Sequence, residues 1–160
     1  MIFDILSYKD PHLKQPSMIL TRFDKALEEF CMSLAETMYW SSGLGLSAPQ
    51  VKGIHKIFVM DTKDGFDLRV CVNPQILQFM GEPVGDQEGC LSFPGIVVPV
   101  RRYASVVVQY QDITGKIHSE ALEGWPARVF QHEMDHLDGI VLTDRVPMAI
   151  KKRILRTLKE

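Results

Sequence analysis

The chain has 160 residues, 46% hydrophobic and 24% charged, with a formal net charge of −2. That length suits one domain able to bury its own core, and so slight a charge argues against a nucleic-acid binder, including a DNA binder, held by bulk electrostatics. The three cysteines, Cys31, Cys71 and Cys90, form no even framework and no C-x-x-C pair, which points to a reducing compartment.

Met1–Asp10 lacks the basic stretch and apolar block of a secretory signal, and no apolar run is long enough to cross a bilayer. A helix is expected from about Thr21 to Ser42. Phe23, Leu27, Phe30, Leu34 and Met38 recur at three- and four-residue spacing, and Ala26, Cys31 and Ala35 widen the stripe. Thr21 with Asp24 resembles a capping box, and Gly43 is a natural stop. A small-residue loop, Gly43 to Gln50, comes next. Strands are expected at Lys56–Asp61 and, after a turn near Asp64-Gly65, at Leu68–Asn73, which Pro74 ends. Ser105–Tyr110 and Ile117–Leu122 flank a turn at Asp112–Lys116 and read as a hairpin. Trp125-Pro126 opens a helix that Gly139 closes, and an amphipathic helix runs from about Pro147 to Lys159. Helices at both ends with strands grouped between them predict an α+β domain spanning residues 1–160. Mixed or antiparallel sheet would surround the helix that carries the two histidines, with an N-terminal and a C-terminal helix outside.

That central helix holds Gln131-His-Glu-Met-Asp-His136, an H-E-x-x-H segment. Histidines four apart on a helix lie one above the other, so His132 and His136 can bind one metal ion from the same face. Val129, His132, Glu133 and His136 form one stripe, while Phe130, Met134 and Leu137 form an adjacent apolar one. Arg128, Gln131 and Asp135 take the remaining side. Glu133 then sits beside the metal as a general base for water. The plainer reading, a surface helix with scattered polar residues, leaves the separate apolar stripe unexplained.

The site lacks a third ligand. No histidine follows His136, the only later glutamate is Glu160, and Asp138 and Asp144 are weak candidates. Upstream, Cys90 in Glu88-Gly-Cys-Leu-Ser92 stands out, since a metal stabilises a thiolate and the glycine permits close backbone approach. A lone cysteine usually reads as a small buried hydrophobe. Cys31 on its helix stripe and Cys71 in its apolar strand do, but a two-histidine helix short of a ligand favours ligation for Cys90. One cysteine and two histidines leave a position for water, the mark of a catalytic site.

Together Gly43-Leu-Gly-Leu-Ser-Ala-Pro-Gln50, Glu88-Gly-Cys-Leu-Ser92 and Gln131-His-Glu-Met-Asp-His136 resemble, in order and separation, the three motifs of the peptide deformylases. Ser47 departs from the alanine usual in that family, a small-for-small change expected to leave the loop intact. The resemblance implies a hydrolase that removes the formyl group from the N-terminal formyl-methionine of nascent polypeptides, releasing formate. It implies that Cys90, His132 and His136 bind one metal, iron(II) physiologically, with zinc, nickel or cobalt able to substitute. Glu133 would be the acid/base acting on metal-bound water, and the Gln50 side chain with the Leu91 backbone N–H would form the oxyanion hole. Gly45 would hydrogen-bond the substrate backbone. Leu44, Trp125, Val129 and His132 would line the methionine pocket, although Trp125 reads equally well as a core or cap residue.

The C-terminal segment carries Lys151, Lys152, Arg153, Arg156 and Lys159 around an apolar face. Its plain reading is a packed helix with a solvated basic edge; the resemblance adds contact with the ribosome. Arg102 could pair with Glu88 to brace the cysteine loop, or both could be solvated. Cytoplasmic location is expected, or organellar if a transit peptide was removed. The competing functions are a peptidase of the H-E-x-x-H type and a non-enzymatic metal-binding or ribosome-associated module.

Overall fold

The computed structural model describes residues 1–65 and 68–159, so Glu160 lies outside the described residues. Helix α1 spans Lys25–Trp40, shorter than the expected Thr21–Ser42. Asp24 itself is the N-cap, its carboxylate accepting from the Leu27 N–H at 3.0 Å, so Thr21 stands outside the helix. At the other end Ser42, with φ 57°, takes the left-handed position, and the Gly43 N–H returns to the Met38 carbonyl at 3.0 Å. The stripe Leu27, Cys31, Leu34, Ala35 and Met38 is buried as expected.

Five strands form one antiparallel sheet in chain order: β1 (Gly45–Ser47), β2 (Ile57–Met60), β3 (Arg69–Cys90), β4 (Phe93–Gln111) and β5 (Ile117–Glu123). The hairpin β4–β5 pairs as expected, its turn closed by the Asp112 N–H on the Lys116 carbonyl at 2.9 Å. The strands β3 and β4 are far longer than the sequence suggested. Pro74 does not end β3, because the register shifts between Val72 and Gln75, where Asn73 adopts φ 49°. A further shift between Met80 and Pro83 accommodates the next proline. The two strands therefore run together from the sheet centre out to Cys90 and Phe93, carrying the cysteine to the histidine helix.

Helix α2 (Gly124–Leu137) begins with Trp125 and Pro126 in its first turn and packs against β1, β2, β4 and β5. Its apolar stripe, Phe130 and Leu137 with Met134 beside them, joins Phe58, Met60, Cys71, Val106 and Val108 in the core between helix and sheet. Helix α1 covers β1 and β2 with Leu27, Leu34 and Met38 against Leu46, Ile57 and Val59. A third cluster joins Leu13, Phe93, Val98, Val100 and Leu142 to Ile154 of helix α3 (Met148–Lys159), with Cys90 packed at its margin. Burial raises the Cys31 thiol to about 12 and lifts Cys71 well above its ordinary value, so both behave as inert core groups.

Gly139 closes α2 at φ 75°, and a Cβ there would lie 2.5 Å from the Lys14 carbonyl oxygen. Helix end and N-terminal segment thus meet with no room for a side chain. Gly139→Ala should lower the unfolding free energy by roughly 2–3 kcal/mol, from left-handed strain and steric displacement together. The expected reading is a lower urea midpoint at unchanged slope.

Candidate active site

Three chain segments converge where the long hairpin meets α2. The end of β3 and the turn after it present Cys90 and Leu91, the segment from β1 into a 3-10 turn at Ala48–Val51 presents Gly45 and Gln50, and α2 presents His132, Glu133 and His136. The ligand atoms of Cys90, His132 and His136 all lie within 4.8 Å of one another. Cys90 Sγ is 3.4 Å from His136 Nε2, and the two imidazole centroids are 5.0 Å apart. Asp138 and Asp144, the weak alternatives as third ligand, are exposed and do not join this group.

The donor set fits a divalent transition-metal ion. A thiolate and imidazoles this close can share a cation bonded at about 2.0–2.3 Å with little adjustment. Electrostatics agree. Burial opposes charge on His132, but hydrogen bonds to Cys90 and Glu88 and the nearby Glu133 outweigh it and raise the imidazole to about 10, so the site favours positive charge. Burial, then the charges of His132 and Arg102, push His136 well below its ordinary value, to the neutral form that ligates.

Glu133 is 3% exposed, and burial raises its carboxyl to about 7, the range suited to exchanging a proton near neutral pH. Its Oε1 is 4.0 Å from His132 Nε2, while Oε2 is buried without a hydrogen-bond partner among the described residues. A Cβ on Gly45 would stand 2.9 Å from Glu133 Oε1 and 3.0 Å from Val129 Cγ1. Likewise a Cβ on Gly43 would strike Leu91 Cδ1 at 2.8 Å. The glycine segment therefore lies directly on α2 and on the turn that follows Cys90.

These groups border a cleft of about 590 Å³ whose walls include Leu44, Gly45, Gln50, Cys90, Leu91, Trp125, Val129, His132 and Glu133. His136 lies behind that surface, 1% exposed. Trp125 is 46% exposed, which removes the alternative of a core residue and leaves it at the cleft mouth. Leu44 is also exposed, while Val129 is buried in the wall.

The polar side of α2 is not a solvent face. Arg128, Gln131 and Asp135 are buried against the β3–β4 hairpin. Glu88 is the hub: it takes two hydrogen bonds of 3.0 Å from Arg102, one of 2.5 Å from Arg128, and faces His132 Nδ1 at 2.9 Å. Burial alone would raise its carboxyl, yet the bonds from His132 and Arg102 hold it at about 2. Arg102 also donates to Asp135 at 2.6 Å, and Asp135 accepts from Arg145 at 2.6 and 2.9 Å. The Arg102–Glu88 pair is thus a buried, two-pronged brace, and neither residue is solvated. Sequence reasoning missed Ser92 too, whose hydroxyl accepts from Gln50 Nε2 at 3.1 Å.

A thiolate and two imidazoles beside a buried carboxylate, on an antiparallel sheet capped by a helix, make a mononuclear metallohydrolase centre. The sequence matches the polypeptide deformylase family over residues 2–152. It is 43% identical over 155 residues to the peptide deformylase of Thermotoga neapolitana, covering 97% of this chain and 93% of that relative. It is 41% identical over 145 residues to the one from Dictyoglomus thermophilum, covering 91% and 93%. The crystal structure of the Thermotoga maritima peptide deformylase superposes with a TM-score of 0.88 at 41% identity, covering 92% of this chain and 99% of that one. The Synechococcus elongatus peptide deformylase, solved in complex with actinonin, gives 0.93 at 35% identity, covering 98% and 88%. The chain belongs to the polypeptide deformylase family.

Proposed function

We propose that this chain, acting as one catalytic domain, hydrolyses the formyl amide at the N-terminal formyl-methionine of newly made polypeptides and releases formate. The supporting observation is the meeting of Cys90, His132 and His136 within 4.8 Å beside a buried Glu133 in an open cleft. Cys90, His132 and His136 hold one divalent ion, iron(II) in the cell, with zinc, nickel or cobalt as substitutes. That ion supplies Lewis acidity, which lowers the pKa of water and polarises the formyl carbonyl.

The chain's own groups do the rest. Glu133 takes a proton from the attacking water and passes it to the departing amine, which its raised pKa permits in both directions. Gln50 Nε2 and the Leu91 N–H donate to the oxygen on which negative charge develops, donors already fixed by the fold. The Gly45 backbone hydrogen-bonds the peptide, and Leu44, Val129 and Trp125 receive the methionine side chain. The reaction belongs to the cytosol or an organelle stroma or matrix, on newly made chains; the basic edge of α3 is read as a solvated face, with contact to the ribosome as the alternative. Among the described residues no helix is long and apolar enough to cross a membrane.

Formate release from a formyl-Met-Ala-Ser peptide by anaerobically prepared, iron-loaded chain tests the proposal. Release is expected with formyl-Met and none with acetyl-Met; cleavage of internal amides instead would mark a peptidase, and no release would defeat the reading. Higher turnover with zinc than with iron would overturn the choice of iron.

A further inference from the structure

We infer that Ser47 is a positioning residue whose hydroxyl aims and polarises the Gln50 side-chain amide toward the reacting carbonyl, an inference that rests on the deformylase reading above. Ser47 is fully buried at the end of β1, and Gln50 is 1% exposed. The Ser47 hydroxyl donates to Gln50 Oε1 at 2.9 Å, and the Ser47 backbone N–H donates to the same oxygen at 3.1 Å. The other end of the amide, Nε2, donates to the Ser92 hydroxyl at 3.1 Å and faces Cys90 Sγ at 3.6 Å.

A backbone N–H can only donate, so it fixes which end of the amide is oxygen. Turning the amide over would set NH₂ against that N–H and place a carbonyl oxygen against the cysteine sulfur. With two donors on Oε1 the torsion is held from one end, and Ser92 holds it from the other. Donation to the carbonyl also draws electron density toward oxygen and leaves the NH₂ hydrogens more positive, so each becomes a better donor. An alanine at this position, the residue the family usually carries, leaves Oε1 with the N–H alone.

A donor sharpened in this way acts where negative charge accumulates and adds little to substrate binding. The effect should therefore fall on kcat. In metal-loaded, full-length chain, Ser47→Ala should lower kcat about threefold to tenfold, the share expected of one hydrogen bond, with KM and metal content unchanged. Ser47→Cys, close in volume but a poor donor, should behave alike and serves if the alanine variant folds badly. In a Gln50→Ala background the Ser47→Ala change should have no further effect on kcat.

A second readout needs no turnover. The Gln50 side-chain NH₂ signals in a ¹⁵N-labelled sample, assigned by their loss in Gln50→Ala, should shift upfield and exchange faster with solvent in Ser47→Ala. A kcat within twofold of the parent, an equal loss in the Gln50→Ala background, or unmoved NH₂ signals would overturn the inference. Absence of formate release by the unmodified chain would instead defeat the deformylase reading, while the NH₂ signals still decide whether Ser47 orients Gln50.

Discussion

Glu133→Gln is expected to cut formate release by about 10³–10⁴-fold, near the upper end of what a positioned proton carrier contributes. The replacement keeps the size and planarity of the side chain, so its packing against Gly45, where a Cβ would have no room, is preserved. It removes a carboxyl beside His132 Nε2 able to accept a proton from water. Because burial already raises this carboxyl to about 7, exchanging it for a neutral amide relieves desolvation, and thermal stability should hold or rise. Glu133 is not one of the three clustered ligands, so metal content measured by elemental analysis should match the parent. Activity within tenfold of the parent, or metal lost together with activity, would remove Glu133 from the role of acid/base.

The second large effect belongs to Glu88, which touches no substrate in this scheme. Glu88→Ala leaves buried Arg128 with backbone carbonyls but no carboxylate, leaves buried Arg102 with Asp135 alone, and takes from His132 the acceptor of its Nδ1–H. Removing one partner of a buried ion pair typically costs about 3–5 kcal/mol. Loss of the group that orients a metal-binding histidine typically weakens metal affinity by about 10–100-fold. Both losses are expected together, one in chemical denaturation and the other in metal transfer to a chelator. Glu88→Gln, which retains an acceptor but not the charge, should fall between. A destabilised variant that holds its metal as tightly as the parent would show that His132 is oriented without Glu88.

The candidate ligand cluster is legible in the sequence because its chemistry is local. H-E-x-x-H on a helix puts His132, Glu133 and His136 on one stripe whatever the rest of the fold does. The absence of a histidine beyond His136 then directed attention to Cys90. The buried polar side of α2 was not legible in the same way. Arg128, Gln131 and Asp135 carry charge or amides and read as a solvent face by type, yet their partners lie 28–40 residues away on the hairpin. The Glu88–Arg102 pair, 14 residues apart, was nameable from the sequence, but its burial follows only from the packing of α2 on the hairpin. For the long strands the obstacle was local: Pro74 and Pro83 are strand breakers by propensity, and only the register shifts beside them allow pairing to continue. Capping was misplaced by three residues, since both Thr21 and Asp24 can cap and only the packed helix decides between them.

The reach of the β3–β4 hairpin sets an order of assembly. Cys90 and His132 are separated by 42 positions in sequence, and the loop between them must close before an ion can find both. Closure requires the strands to pair along their whole length, across four irregularities in register, and then to dock on α2. Such non-local pairing is the slow part of folding. The metal therefore cannot template the fold as it does in a small zinc finger, whose ligands are close neighbours. An ion held by Cys90 and the two histidines would enter after the hairpin forms, so a chain that keeps such an ion through gel filtration is expected to be natively folded.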